Sequence, residues 1–479
     1  MLAHKMNLFV LISALCAPAL LHAGKPAVFV SPDEPMELTH RFAEDGGEAG
    51  DWRFAWHGYA RMPVRFAGGP LAERGPDLVD DNYAQSGFAY LRINETEWVE
   101  LALSAQNGST RFVAGLFAAN LSDWSDRQGN SSTPATAFIE HTATPHARLE
   151  LTTRVGMFWR RMGYISAYDT YLIGRTHTAG LMMQARAYDH FLLEVGGGGH
   201  ARNSQEVFGF GPTHWLMLGV EYPQIQVHGY RLKTWNEDED KSRSYTKSGE
   251  LVVSGFDTKL AIPYVGRLAY TFSFIEAENS EFIGRAVELL HSSDGKNLKL
   301  NFLGSEQSGT GEIQTQGLEL QWSLRRSLKS AKGGWVRHLD GAEVDLYGMT
   351  AHVATPHEVA AIGDPGKNDR RYLKWGADIR YRALGLGWKN PTIAFRYDRV
   401  MMHTDHDSLS FRVYSPRIGF ELASGVELFA QWSRYDYGDN ISGDFFDELA
   451  ERATRSANAN LAEVRPDSDV FKLQAQARW

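Results

Sequence analysis

The sequence predicts an all-β chain, a transmembrane antiparallel β-barrel of about 16–18 strands. Three observations carry this. From about residue 53 to Trp479, stretches of alternating apolar and polar side chains are separated by turns or polar loops. The N-terminus reads as a secretory signal, yet the chain has one cysteine and so no disulfide framework. The last predicted strand ends on an aromatic residue, Trp479. A strand points successive side chains to opposite faces, so strict alternation gives one oily face and one polar face.

In chain order, Lys5 supplies a positive start, Leu8 to Leu21 an apolar run, and Leu21-His22-Ala23 a small-residue cleavage site. Residues 1–23 are therefore expected to be a signal peptide. Leu15 before Cys16 disfavours a lipoprotein anchor, and removal of the signal would leave a mature chain without cysteine. Residues 24–52 contain Glu44-Asp45-Gly46-Gly47-Glu48 and no heptad pattern, and are expected to form a flexible periplasmic extension. Residues 53–479 are assigned to the barrel, with no internal repeat and no second domain.

The first strand is expected over Phe54 to Phe66. Phe54, Trp56, Gly58, Ala60, Met62, Val64 and Phe66 share one face; His57, Tyr59, Arg61 and Arg65 share the other. Pro63 cannot donate to a ladder and is expected to mark a bulge or strand end. Over Leu91 to Leu103, the row Leu91, Ile93, Val99, Leu101 and Leu103 opposes Arg92, Asn94, Thr96, Trp98, Glu100 and Ser104. Over Ala147 to Trp159, Leu149, Leu151, Val155, Met157 and Trp159 oppose Arg148, Glu150, Arg154 and Arg160. Leu268, Tyr270, Phe272 and Phe274 form a further apolar row. Leu373, Trp375, Ala377, Ile379 and Tyr381 oppose Lys374, Asp378, Arg380 and Arg382. The final strand sets Phe471, Leu473, Ala475, Ala477 and Trp479 against Lys472, Gln474, Gln476 and Arg478. Loops are expected at Ser122–Pro145, Trp235–Lys247, Ala354–Arg371 and Tyr435–Asp469.

Periodicity alone does not separate a soluble sandwich from a barrel with a wet lumen. Aromatic residues near strand ends (Trp56, Phe66, Trp159, Tyr381, Trp479) favour the barrel, where such residues form interfacial girdles. Beyond the N-terminus no apolar run is long enough for a membrane helix. The formal net charge is −9, with no dominant basic patch, which excludes nucleic acid as a partner.

The motifs for chemistry are weak. His403-Thr404-Asp405-His406-Asp407 could suggest a metal site or an Asp–His pair, but a polar turn between two strands is the better reading. Gly196 to Gly199 imitates a phosphate cradle, yet no Gly-Lys-Ser/Thr follows, so a loop or strand bend is expected. The 17 His show no zinc-type spacing, and no Gly-x-Ser-x-Gly elbow is present. No catalytic residue, metal ligand or cofactor is assigned, and the chain is not read as an enzyme.

Trp56-His57-Gly58-Tyr59-Ala60-Arg61 resembles the opening strand of the maltoporins, sugar-specific porins of the Gram-negative outer membrane. Tyr90 to Glu100 resembles their second strand, and Leu121-Ser122-Asp123-Trp124 the loop that reaches toward a neighbouring subunit. Arg160-Arg161, Tyr168-Asp169-Thr170-Tyr171 and Thr178-Ala179-Gly180-Leu181 resemble their constriction-loop region. The similarity covers residues 54 to about 200. It implies an 18-stranded homotrimer in the outer-membrane lipid, with sugars sliding along aromatic rings flanked by charged groups. On that resemblance Tyr59, Trp98, Trp124 and Tyr171 would be aromatic contacts, and Arg61, Arg92, Glu100 and Asp169 their polar partners. The alternation alone already places Tyr59, Arg61, Arg92, Trp98 and Glu100 on polar faces. The chain departs from the family pattern at Arg478, where a Trp is usual, at Ile139, where an Arg is usual, and in lacking the two-cysteine loop. The cargo would be sugars or other small polar solutes. A general polar-solute channel is the alternative. A barrel hydrolase using the His403–Asp407 region and a secreted β-sandwich binding protein are the more distant ones.

Overall fold

The computed structural model describes residues 52–68, 98–119, 133–161, 175–200, 212–237, 248–263, 265–278, 311–324, 341–354, 369–383, 390–401, 410–423, 425–436 and 468–478. They form eighteen strands: β1 Arg53–Gly68, β2 Trp98–Asn107, β3 Thr110–Ala119, β4 Thr133–His146, β5 Leu149–Arg161, β6 Arg175–Ala187, β7 Phe191–His200, β8 Pro212–Glu221, β9 Ile225–Glu237, β10 Ser248–Ile262, β11 Gly266–Glu278, β12 Gly311–Ser323, β13 Ala342–Ala354, β14 Asp369–Arg382, β15 Thr392–Met401, β16 Ser410–Ala423, β17 Val426–Asp436 and β18 Ser468–Arg478. Each strand pairs antiparallel with its neighbours in sequence, and β1 also pairs with β18, closing the sheet. Closure leaves no open edge, which is what a sheet requires in a solvent without hydrogen-bonding groups.

Tight turns at 108–109, 147–148, 188–190 and 222–224 lie at one rim. β1 begins at that rim, since Arg53 is paired with Gln106 at the end of β2. The other ends of β1 and β2, of β11 and β12, and of β17 and β18 lie at the opposite rim, separated in sequence by residues 69–97, 279–310 and 437–467.

The two faces follow the alternation. On β1, Phe54 (78 % exposed), Trp56, Met62, Val64 and Phe66 face outward, while Tyr59 and Arg61 (each 2 % exposed) are buried on the inner face. On β5, Leu151 and Val155 face outward against Thr152, Arg154 and Phe158. Ile139, Val155 and Leu181 form a cross-strand row on the outside of β4, β5 and β6. An apolar outer band on a closed barrel is the signature of a membrane-spanning sheet.

Several expectations need correction. Ser122–Pro145 is not all loop, because β4 occupies Thr133–His146. Its inner residues Thr136, Phe138 and Glu140 alternate with outward Ala137 and Ile139, a pattern obscured in sequence by small and polar residues at both ends. Gly196–Gly199 is neither loop nor bend; it continues β7, paired with Pro212 to Trp215 of β8. Pro63 makes no bulge: the β1–β18 register runs through it from Tyr59 to Gly68. The described pairing of β1 with β2 ends at Arg61, so Pro63 has a described partner strand on one side only. The other expected loops lose their edges to strands: β9 runs to Glu237, β13 to Ala354 and β17 to Asp436, while β14 starts at Asp369 and β18 at Ser468. The strand expected from Leu91 is described only from Trp98. Residues 1–51, His403–Asp407 and Trp479 lie outside the described residues.

Glycine allows close sheet coiling over β5 to β7. Gly156 has φ +131°, and a Cβ there would lie 2.2 Å from the Ala137 carbonyl oxygen. Its register partner Gly180 is in turn opposite Gly198.

Candidate functional site: the inner wall

The site is the inner face of the barrel, built from alternate residues of many strands. On β1 and β2 the register brings together predicted positions from separate stretches of sequence: Tyr59 is opposite Glu100, and Arg61 opposite Trp98. Further along β2, Ala102 and Ser104 are buried. On its other side β1 sets Tyr59 against Arg478 and Arg61 against Gln476. Arg92, Trp124, Asp169 and Tyr171 lie outside the described residues, so the structure neither joins them to this cluster nor separates them from it.

β16, β17 and β18 extend this sector with amides and hydroxyls. Gln476 Nε2 donates to Glu427 Oε2 at 2.7 Å, and Gln474 Nε2 to Gln476 Oε1 at 3.3 Å. Gln431 Nε2 donates to Ser433 Oγ at 3.0 Å, and Ser433 and Ser415 hydroxyls meet at 2.9 Å. Phe429 lies between two cations: Arg417 is 5.1 Å and Lys472 5.6 Å from its ring centre.

On the opposite side of β1, three strands share one carboxylate. Arg111 Nη2 of β3 donates to Glu140 Oε1 at 2.8 Å. Arg154 of β5 donates to Glu140 Oε2 from Nη2 at 2.6 Å and from Nε at 3.1 Å. The Arg154 guanidinium also lies 4.5 Å from the centre of the Phe138 ring. Phe138 meets Phe158 edge-on at 6.3 Å, and Phe158 meets Trp215 edge-on at 6.1 Å. The Trp215 indole crosses β7 at Gly196, where a Cβ would lie 2.1 Å from the ring, and its Nε1–H donates to Glu194 Oε1 at 2.8 Å.

A second charged cluster sits on β13 to β15. Strands β4 and β13 are nine apart in the closed ring of eighteen, so the two clusters stand on opposite walls. Here Arg396 Nε meets Asp398 Oδ2 at 2.7 Å and Nη2 donates to Oδ1 at 3.0 Å. The Tyr347 hydroxyl donates to the same carboxylate and accepts from Arg396 Nε at 3.2 Å. Arg380 Nη2 donates to Asp345 Oδ2 at 2.6 Å. Near the tight-turn rim, Glu221 accepts from Arg186 and pairs with His228 Nε2 at 2.8 Å.

Such a wall presents guanidinium and amide donors beside carboxylate and hydroxyl acceptors, suited to exchanging hydrogen bonds with a hydrated solute. Among the described residues, no group of three or more His, Cys, Asp or Glu is arranged to hold a metal ion.

Sequence reasoning had Arg154, Lys374, Asp378 and Arg380 on polar faces but missed Arg111, Glu140, Glu194, Trp215, Tyr347, Arg396 and Asp398 as partners. Parity would have placed Arg396 and Asp398 together, since they are two residues apart on one strand. The Glu140 and Trp215 contacts depend on register between strands, which no single segment encodes. Ile139 is 53 % exposed on the outer face, so an arginine there would stand in the apolar outer row; the inward neighbour Glu140 carries the charge instead.

No family model matches this chain, and no curated protein matches its sequence. Solved barrels do match. Pseudomonas aeruginosa OccD3 (OpdP) aligns over 97 % of this chain and 97 % of its own, at 8 % identity and a TM-score of 0.43. Pseudomonas aeruginosa OccK11 (OpdR) aligns over 91 % and 99 %, at 11 % identity and 0.43. Acinetobacter baumannii OccAB3 aligns over 90 % and 99 %, at 10 % identity and 0.43. At these identities and scores, the likeness transfers neither residue roles nor substrate to this chain.

Proposed function

We propose that this chain is a porin of the Gram-negative outer membrane, through which carbohydrates pass by facilitated diffusion without any chemical step. The observation that carries the reading is the closed eighteen-strand barrel with an apolar outer face and an inner face of ions, amides and hydroxyls. A barrel of this strand number encloses an aqueous channel. The sugar specificity rests on the maltoporin-like run Trp56 to Arg61 and on the Tyr59–Glu100 and Arg61–Trp98 register pairs. A pyranose offers an apolar face and a rim of hydroxyls. Aromatic rings let it slide, while side chains such as Arg61, Gln474 and Gln476 exchange hydrogen bonds with the rim. Passage requires binding strong enough to enter and weak enough to leave. The homotrimer follows from the same resemblance, and the tight-turn rim is assigned to the periplasm.

The test is conductance of the detergent-purified protein in planar bilayers during titration with maltooligosaccharides, then other sugars. Openings in triplets, blocked by micromolar to millimolar sugar, with block lost in Tyr59→Ala and Trp98→Ala, are expected. Open channels that no sugar blocks would leave the second reading, a channel for other polar solutes, which the mixed ion pairs of β3–β5 and β13–β15 favour.

A further inference from the structure

The outer face of β14 to β16 is layered from the rim away from the tight turns. β15 turns Arg399, Tyr397, Phe395 and Ile393 outward at successive steps of two, from that rim toward the tight turns. β16 runs the other way and repeats the order with Arg412, Tyr414, Ile418 and Phe420. The register sets Arg399 opposite Arg412 and Tyr397 opposite Tyr414. The Tyr397 ring lies 5.4 Å from the Trp375 ring and 5.4 Å from the Tyr414 ring, so the aromatic layer is continuous over three strands. Below it Ile379, Ile393, Phe395, Ile418 and Phe420 are exposed. Cations, then aromatic rings, then an apolar band is the order of a membrane interface.

Two like charges directly opposite on one face of a sheet are unfavourable unless anions stand beside them. Among the described side chains on the outer face of β14 to β18, Arg371, Arg399, Arg412 and Arg434 stand against Asp436 and Asp469. Asp436 is opposite Arg412. Asp469 accepts from Trp432 Nε1 at 3.0 Å and lies 3.8 Å from Arg434. The arc therefore carries an excess of guanidinium charge. At the same rim β10 to β12 carry Glu250, Glu276 and Glu312 instead, with Glu276 opposite Glu312. The positive charge is thus confined to one side of the barrel.

We infer that the Arg399–Arg412 arc binds the phosphate of a lipid headgroup in the outer leaflet, with the acyl chains lying along Phe395, Ile418 and their neighbours. Guanidinium groups present paired N–H donors that match phosphate oxygens. The aromatic layer stands two residues, about 7 Å along the strand, from the cations and fits the level between headgroup and hydrocarbon. The inference rests on the channel reading, which assigns the tight-turn rim to the periplasm and so this rim to the outer leaflet.

The experiment uses the full mature chain in detergent, its fold checked by heat-modifiable mobility on gels. It is titrated with lipid A, a glycolipid bearing two phosphates, with the same lipid dephosphorylated, and with phosphatidylcholine; bound lipid is counted by native mass spectrometry. Lipid A is expected to bind about tenfold or more tighter than its dephosphorylated form, a comparison that needs no variant. Arg399→Gln combined with Arg412→Gln should remove that preference, Arg399→Lys with Arg412→Lys should keep part of it, and Lys233→Gln on β9 should leave it unchanged. Equal binding of the two glycolipids, or a preference untouched by the double Gln variant, overturns the inference. Self-association lost in that variant, with no preference for phosphate, would instead assign the arc to carboxylates of a second copy. Planar-bilayer conductance of the same samples separates the two readings: phosphate-selective binding by a barrel that never conducts supports the lipid site and removes the channel, whereas conduction without that selectivity removes only the site.

Discussion

Glu140 and Arg154 face each other across β4 and β5 as a doubly hydrogen-bonded pair, with both guanidinium donors on one carboxylate oxygen at 2.6 and 3.1 Å. The other oxygen is taken by Arg111 at 2.8 Å, so one carboxylate ties three strands together on the inner wall. Removing one member of a buried ion pair leaves an uncompensated charge, which costs about 3–5 kcal/mol. Glu140→Ala takes the shared carboxylate from both cations and is predicted to lower stability by that amount. Arg111→Ala leaves the Arg154 pair intact and should cost less. Urea unfolding of the detergent-solubilised barrel, followed by gel mobility, ranks the two; equal costs would refute the sharing.

The opposite wall allows a finer comparison. Tyr347→Phe removes one hydroxyl from Asp398 while the carboxylate keeps Arg396, and should cost about 1 kcal/mol. Asp398→Ala leaves the buried Arg396 without its carboxylate and should cost about 3–5 kcal/mol. The same unfolding measurement decides whether Asp398 holds this cluster as Glu140 holds the other.

Gly196 is a packing requirement. A Cβ there would lie 2.1 Å from the Trp215 ring, and the displaced indole would lose its bond to Glu194. Gly196→Ala is predicted to cost about 1–3 kcal/mol by overpacking. Trp215→Leu should remove most of the penalty when combined with it, and a double-mutant cycle measures that coupling.

The outer face gives a test of membrane placement. Val155 lies mid-strand on β5, 54 % exposed between Ile139 and Leu181. Val155→Arg is expected to cost about 2–4 kcal/mol if this row lies near the bilayer midplane. Val155→Leu should be close to neutral. The measurement is folding into lipid vesicles; an unimpaired Val155→Arg barrel would place this row away from the hydrocarbon.

The sequence by itself determined that this is an all-β chain, roughly how many strands it has, and which face of each strand is oily. A period-two pattern survives in any strand whose two faces meet different surroundings, so Phe54 to Phe66 and Phe471 to Ala477 were legible without coordinates. β4 was hidden, because Thr133 to Pro145 reads as polar and small until its inner residues have partners. Only the tertiary structure decided which inner residues meet. Glu140 finds Arg111 and Arg154 through register with two neighbouring strands, and Trp215 reaches Glu194 across the space left by Gly196. Parity is a property of one strand, whereas register and closure belong to the whole sheet. Tyr59 and Glu100, far apart in the chain, become neighbours only when β1 and β2 are set side by side.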